Sequence, residues 1–134
     1  MRPIVLGAGP AGCTAAILLA RGGARPLLID RQAEVGDALC GGFLSWRTAA
    51  QLREIGCDPA ALGGWPVRRL RLFAGGRMVE AALPATGFGL SRHALDSAMR
   101  SAAAPNRPAG GGGRCALRRV PELAHGGPAV CNRV

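Results

Sequence analysis

The feature that most constrains this chain is a glycine-rich hexapeptide near its N-terminus, Gly7-Ala8-Gly9-Pro10-Ala11-Gly12. A short apolar run from Pro3 precedes it, and an alanine-rich segment ending in Gly22-Gly23 follows it, so the pattern predicts a strand, a tight turn and a helix. A second apolar run covers 26–29 and ends in Asp30. Together these residues predict a βαβ unit closed by an acidic residue.

Each glycine of the hexapeptide has a physical role in such a unit. Gly7 allows the chain to turn sharply, Gly9 lets the backbone approach a pyrophosphate, and Gly12 lets the helix pack closely on the strands. The pyrophosphate would lie on the N–H groups and the positive dipole end of the helix. Asp30 follows Gly12 by 18 positions and would accept hydrogen bonds from a ribose. The arrangement predicts a dinucleotide site. The alternative is a glycine-rich turn in an unrelated α/β domain, because 21 glycines make chance matches easy.

Length and composition limit the remaining function classes. The 134 residues suffice for one domain of ordinary size. No run of about 20 apolar residues predicts a transmembrane segment, and nothing at the N-terminus resembles a signal peptide, so we expect a cytoplasmic protein. The five cysteines form no CxxC pair, and we predict neither a disulfide framework nor a metal site.

The net charge of +9 raises the possibility of a nucleic-acid partner. All 17 residues in the Lys+Arg count are arginines, which fits a coding bias as readily as a selected binding surface. Aromatic residues that could stack on bases are scarce and do not alternate with the arginines. We therefore expect no nucleic-acid partner.

The rest of the chain divides into local elements by period and by glycine, proline and serine signals. The predicted elements are a helix over 10–21, a loop over 31–42, a helix capped by Ser45 and running through Ile55, an antiparallel hairpin with arms at 67–72 and 79–83, a short extended run at Phe88 and Leu90, and a helix opening at Ser91 with Leu95, Met99 and Ala102 on one face. The hairpin's first arm carries Arg68, Arg69 and Arg71. We interpret them as a solvated face, with an anion site as the alternative.

The last thirty residues differ from the rest. Residues 105–134 contain four consecutive glycines, no aromatic residue and no sustained period of 2 or 3.6. Such a segment buries too little apolar surface to offset the entropy of ordering it. We predict one folded region over 1–104 and a disordered tail over 105–134, whose composition also fits a shifted reading frame.

Four motifs in one order carry a family resemblance: the glycine hexapeptide, the strand end Asp30-Arg31, the run Cys40-Gly41-Gly42, and the helix start at 90–96. Together they resemble the FAD-dependent oxidoreductases of the p-hydroxybenzoate hydroxylase and geranylgeranyl reductase type. The resemblance implies an α/β fold: a Rossmann-like FAD-binding βαβ domain, here incomplete, with an antiparallel hairpin excursion. It also implies the N-terminal part of a longer enzyme, since the family's later flavin-binding motifs do not follow residue 103.

The resemblance also implies a set of cofactor-binding residues, and each is carried over by position. Gly7, Gly9 and Gly12 would line the pyrophosphate, with Ala8, Pro10 and Ala11 between them, and Asp30 would hold the adenosine ribose with Arg31 beside the adenine. Cys40, Gly41 and Gly42 would lie near the flavin, and Arg92 would contact the cofactor. Gly41-Gly42 as a plain flexible turn and Arg92 as a plain helix-start residue are the alternatives. No catalytic residue follows from the sequence.

The resemblance implies that the parent protein is an FAD-dependent oxidoreductase. It would act on an apolar small molecule, as a monooxygenase or as a geranylgeranyl-reductase-like enzyme, with NAD(P)H as the electron donor. We expect the truncated chain alone to be inactive. The alternatives are a non-catalytic dinucleotide-binding module or fragment, and a Rossmann protein that uses NAD. The excursion into an antiparallel hairpin favours FAD over NAD, because a simple NAD dehydrogenase continues with alternating strands and helices.

Overall fold

The computed structural model describes residues 2–32, 34–36, 38–40 and 42–104, together with the backbone of 116–119. It contains three helices and six strands in two sheets within these ranges. In chain order they are β1 (Ile4–Leu6), α1 (Pro10–Arg21), β2 (Leu27–Asp30), β3 (Phe43–Leu44), α2 (Trp46–Glu54), β4 (Trp65–Ala74), β5 (Arg77–Gly89), α3 (Arg92–Ala103) and β6 (Ala116–Arg119).

The predicted βαβ unit is confirmed. Strands β1 and β2 are parallel, with Ile4 opposite Leu27, and α1 is the crossover helix between them. The N–H of Gly7 donates to the carbonyl oxygen of Ile29 at 2.7 Å, so the turn is attached to the end of β2. Gly7 has φ +93°, a left-handed conformation that favours glycine.

The two later helices also begin where their serine caps predict. The hydroxyl of Ser45 accepts the N–H of Thr48 at 3.2 Å, and the hydroxyl of Ser91 accepts the N–H of Ala94 at 3.1 Å. Each hydroxyl satisfies a backbone donor that has no intrahelical acceptor. The C-terminal end of α1 follows its glycine signal, since Gly22 is the C-cap and Gly23 has φ +85°.

The antiparallel hairpin is confirmed and is longer than the sequence indicates. Strands β4 and β5 pair from the turn at Gly75-Gly76 back to Trp65 opposite Gly89. The far end of β5 also pairs with β3, where Phe43 lies opposite Gly89. Strand β3 was not expected, because two residues are too few to show a period of 2. The extended run at Phe88 is the end of β5 rather than a separate strand.

Both faces of the hairpin are exposed over 68–82, the part nearest the turn. The side chains of Arg69 and Arg71 are 72% and 63% exposed, and each pairs with Glu80 on β5. On the other face Leu70 and Leu72 are 48% and 60% exposed. The arginines are exposed, as expected. The opposite face of the hairpin, which carries Leu70 and Leu72, is exposed as well rather than buried.

The core lies between α1, α3 and the parallel strands. Leu28 of β2 and Met99 of α3 are fully buried, and α1 packs directly against α3. The core side chains come from the three helices, from β2 and from the segments next to them; they are Ala8, Cys13, Ala16, Ile17, Leu28, Leu52, Ile55, Cys57, Leu90, Leu95, Met99 and Ala103. This packing brings α3 beside the glycine turn. Among the described residues no helix is long and apolar enough to cross a membrane.

One part of the expected tail differs from the prediction. Residues Ala116–Arg119 form β6, which pairs in parallel with β2, so that Leu27 lies opposite Ala116. The prediction of a structureless 105–134 is wrong for these four residues. It rested on side-chain burial, whereas the open edge of β2 offers backbone hydrogen bonds to any extended segment, whatever its side-chain period. The rest of 105–134 lies outside the described residues.

Candidate functional site

A cleft of about 680 Å³ opens at the carboxyl ends of β1 and β2. The glycine turn, the end of β2 with the loop that follows it, and one face of α3 line this cleft. Its lining residues are Leu6, Gly7, Gly9, Ile29, Asp30, Arg31, Gln32, Val35, Gly36, Ala38, Arg92, Asp96 and Arg100. Ligands of open α/β sheets bind outside the carboxyl ends of the strands, so this is where a nucleotide is expected.

The N-terminal end of α1 points its backbone donors toward this region. Gly9 is the N-cap and makes no side-chain capping bond, and the first turn carries no acidic residue. Pro10 has no N–H, and the N–H groups of Ala11 and Gly12 belong to the first turn, which has no intrahelical acceptor. The helix end therefore keeps its positive partial charge and its donors for an anion.

The space around two of the glycines fits the roles expected from the sequence. A Cβ on Gly9 would have no heavy atom within 4 Å, so the space in front of this backbone is open. A Cβ on Gly12 would overlap the carbonyl oxygen of Gly7 and touch Val5, so a side chain here is incompatible with the contact between α1 and the strand. The turn thus combines close packing behind with open space in front, and an FAD pyrophosphate fits this combination.

Asp30 closes the cleft and is held by backbone donors. Its Oδ2 accepts the N–H of Ala8 at 2.5 Å, and its Oδ1 accepts the N–H of Gln32 at 2.7 Å. Burial pushes the pKa of the Asp30 carboxyl upward, but these two hydrogen bonds and the charges of Arg100 and Arg31 outweigh burial and hold its pKa below the usual value. Asp30 is therefore an ionised acceptor at neutral pH.

Two residues of α3 that line the cleft, Arg92 and Asp96, form an ion pair with each other. Arg92 donates from Nε to Oδ1 of Asp96 and from Nη2 to Oδ2, both at 3.0 Å. The hydrogen bonds that Arg92 donates to Asp96 are the main reason that the pKa of Arg92 is raised above its ordinary value, and the side chain of Cys40 contributes to the same shift. The guanidinium of Arg92 is thus oriented by Asp96 at a position that lines the cleft.

A separate groove of about 690 Å³ runs between α1, α2 and α3 on the other side of Arg92. Apolar side chains such as Leu18, Leu44, Leu52 and Met99 contribute to its lining. Pro10, Ala11 and Cys40 line this groove and not the cleft. Arg92 lines both cavities and therefore stands at the boundary between them.

The structure brings part of the expected set of cofactor-binding residues together. Five members line the cleft: Gly7, Gly9, Asp30, Arg31 and Arg92. Ala8 is fully buried, with its N–H on Asp30, so it supports the site from behind. Gly42 has φ +69°, and its carbonyl accepts the N–H of Leu90 at 2.7 Å, away from the cleft lining. Gly41 lies outside the described residues.

Sequence reasoning missed two charged residues of the cleft, Asp96 and Arg100. Together with Arg92 they are spaced by four along α3, which places all three on one helix face. A charged stripe at this spacing, next to the apolar stripe that contains Leu95 and Met99, was the available signal. Their roles depend on what α3 packs against, and the spacing alone does not contain that information.

Comparison with known proteins agrees with this geometry. The sequence profile of the family described as "FAD binding domain" matches residues 2–90. The menaquinone reductase of Mycobacterium tuberculosis is 36% identical over 110 residues, which cover 75% of this chain and 26% of that protein. The chain therefore spans about a quarter of the length of this curated relative.

Solved structures show the same architecture. A geranylgeranyl bacteriochlorophyll reductase-like protein from Thermoplasma acidophilum superposes with a TM-score of 0.60 at 25% identity, covering 75% of this chain and 27% of that one. A peptidyl tryptophan dihydroxylase superposes with a TM-score of 0.53 at 28% identity, covering 75% of this chain and 22% of that one. In both cases the similarity covers most of this chain and about a quarter of the other protein.

Proposed function

Because this chain belongs to the FAD-binding domain family, whose cofactor is FAD, we propose that its cleft holds the ADP half of FAD within a longer FAD-dependent oxidoreductase. The observation that carries the proposal is the glycine turn. The space in front of Gly9 is open, and the N-terminal end of α1 beside it has no side-chain cap. The ionised carboxylate of Asp30 is held against the same turn by the N–H of Ala8.

Each part of the cleft has a defined task in this proposal. The pyrophosphate lies at Gly9 and accepts hydrogen bonds from first-turn N–H groups of α1, while the helix dipole balances its charge. Asp30 accepts a hydrogen bond from the adenosine ribose, and Arg31 lies beside the adenine. Arg92, held by Asp96, lies where the cofactor would leave the cleft toward its flavin half. When bound, FAD supplies the two-electron redox chemistry, and these residues bind and orient it.

The binding proposal is tested by measuring how well unlabelled nucleotides displace labelled ADP from the 134-residue chain. Labelled ADP is displaced by unlabelled FAD, whereas FMN, which lacks the adenylate half, displaces it poorly. We expect NAD⁺ to compete no better than FAD. Displacement by FMN as effective as by FAD, or a clear preference for NAD⁺, would contradict the assignment of this cleft to the ADP half of FAD.

We further propose that the complete enzyme transfers electrons from NAD(P)H to an apolar small molecule, or uses them with oxygen to hydroxylate one. The names of the menaquinone and geranylgeranyl bacteriochlorophyll reductase-like relatives support an apolar, isoprenoid-bearing substrate. The test uses a polypeptide of the relatives' full length loaded with FAD. Anaerobic reoxidation of the reduced protein by an isoprenoid quinone indicates a reductase, and oxygen-dependent product formation indicates a hydroxylase. The 134-residue chain alone is expected to show no FAD-dependent NADPH oxidation.

A further inference from the structure

Arg100 lies near the C-terminal end of α3, and its side chain is directed at the nucleotide cleft. The side chain is only 13% exposed, although arginine is usually a surface residue. It lines the cleft together with Asp30 and Gln32. An arginine that is largely withdrawn from solvent needs several acceptors, and Arg100 has them on two separate parts of the chain.

Three contacts tie the guanidinium to both sides of the cleft. Its Nε donates to the carbonyl oxygen of Ala8 at 3.1 Å, and its Nη1 donates to the carbonyl oxygen of Gln32 at 3.1 Å. Its Nη2 forms an ion pair with Oδ1 of Asp30 at 3.3 Å. Arg100 therefore connects the glycine turn, the end of β2 and the residue after it through one rigid planar group.

These contacts decide which oxygen of Asp30 is available to a ligand. A carboxylate oxygen has about two acceptor positions. Oδ1 accepts the N–H of Gln32 at 2.7 Å and lies 3.3 Å from Nη2 of Arg100 in an ion pair, so it is the more crowded of the two oxygens. Oδ2 receives the N–H of Ala8 and has one position left. With both oxygens held, the carboxylate cannot rotate to exchange them.

We propose that Arg100 is a positioning residue for the nucleotide ribose, because it holds the Asp30 carboxylate in the one orientation that leaves Oδ2 to accept a ribose hydroxyl. The proposal rests on the function proposed above and adds a residue on α3 to the ribose site. Two of the five guanidinium N–H groups are not used in the three contacts. A direct contact with the pyrophosphate is therefore the rival role, and the experiment must separate the two.

The experiment compares ADP with 2′,3′-dideoxy-ADP, which has the same charge but no ribose hydroxyls. Their affinities are measured by calorimetry for the wild-type 134-residue chain and for Arg100→Met, Arg100→Lys and Arg53→Met. Arg53 is the matched control, since it also pairs with an aspartate, Asp58, at 3.0 Å but lies outside the cleft lining. Thermal unfolding of each variant shows whether it is folded.

In the wild type and in Arg53→Met we expect ADP to bind roughly 10- to 100-fold more tightly than the dideoxy analogue, the size of a hydrogen bond to a charged group. In Arg100→Met this ratio falls to within about threefold. Arg100→Lys keeps the charge but cannot bridge three acceptors, so the ratio falls there too. The Lys variant therefore also tests the proposal if Arg100→Met fails to fold.

The outcomes separate the two proposals. If the wild type binds neither FAD nor ADP, the proposed function fails. If the wild type discriminates between ADP and the dideoxy analogue and an Arg100 variant discriminates equally well, the positioning role is overturned. The positioning role would also be overturned if Arg100→Met lost affinity equally for both ligands while Arg100→Lys bound both as tightly as the wild type. That result would favour a direct contact between Arg100 and the phosphates.

Discussion

A methyl group on residue 12 would overlap the carbonyl oxygen of Gly7 in the turn before α1. The two glycines therefore form one close contact between the helix and the end of β1. Gly12 is required for packing, while Gly9 faces open space, where the proposal places the pyrophosphate. This difference leads to two substitutions that are expected to differ in their effect on stability.

The substitution Gly12→Ala is expected to lower the free energy of unfolding by about 1–3 kcal/mol, because backbone must shift to admit the new methyl group. Nucleotide affinity falls with it. The control is Gly22→Ala at the other end of α1, where the added Cβ would lie 3.5 Å from the nearest atom, the carbonyl oxygen of Leu19. Urea unfolding should show a change within about 0.5 kcal/mol for this control. Equal changes in unfolding free energy for the two substitutions would contradict the close contact between residue 12 and the carbonyl of Gly7.

The substitution Gly9→Val is expected to lower nucleotide affinity with little loss of stability. Gly9 has φ −80° and ψ −175°, an extended conformation open to any residue, so the free energy of unfolding should fall by no more than about 1 kcal/mol, the cost of a less favourable N-cap residue. A branched side chain occupies the space needed by the pyrophosphate, and the affinity for ADP should fall roughly 10- to 100-fold. Gly9→Ala should lie between Gly9→Val and the wild type. Unchanged ADP binding by Gly9→Val would place the site elsewhere.

Removal of one partner of the Arg92–Asp96 pair is expected to destabilise the chain. Asp96 has a side chain only 12% exposed, and Arg92→Met leaves that carboxylate without its guanidinium, at a cost of about 1–3 kcal/mol in unfolding free energy. The double substitution Arg92→Met with Asp96→Leu should cost less than Arg92→Met alone. Arg69→Met, which breaks a pair whose arginine is 72% exposed, is the control and should cost less than about 1 kcal/mol. If the double variant were the least stable of the three, the unpaired Asp96 carboxylate would not be the cause of the destabilisation in Arg92→Met.

The acid dependence of stability is expected to report the lowered pKa of Asp30. Because the folded state holds this pKa below the unfolded value, the carboxylate stabilises the fold above the unfolded pKa, and this contribution is lost as the pH falls through the folded pKa. The difference in unfolding free energy between the wild type and Asp30→Asn should therefore be largest near neutral pH and shrink below about pH 4. Urea unfolding at pH 7 and pH 3 measures it. A difference in unfolding free energy that is the same at pH 7 and pH 3 would contradict a lowered pKa of Asp30 in the folded state.

Much of the fold was predictable from residues that act locally. Pro10 and Gly22-Gly23 marked both ends of α1, Ser45 and Ser91 marked the starts of the next two helices, and Gly75-Gly76 marked the hairpin turn. Strand β3 and the four-residue β6 were not predictable. Their pairing depends on edges offered by β5 and β2, and the short segments themselves carry no periodic signal.

The candidate site divides in the same way. The glycine hexapeptide and Asp30 were identified because a turn, a helix start and a strand end lie within one βαβ unit and carry their signal in sequence. Asp96 and Arg100 were missed. Arg100 meets the carbonyl of Ala8 across 92 positions of sequence, so no local pattern could link the two residues.

By itself, the sequence determined where the chain turns, which helices form, and that β1 ends in a glycine turn while β2 ends in the carboxylate of Asp30. These features depend on caps, positive-φ glycines and side-chain period, all of which act over about four residues. Only the tertiary structure decided that α3 packs beside the glycine turn and brings Arg100 onto Asp30. That contact depends on burial of Met99 and Leu28 in a common core, a requirement that involves distant parts of the chain at once.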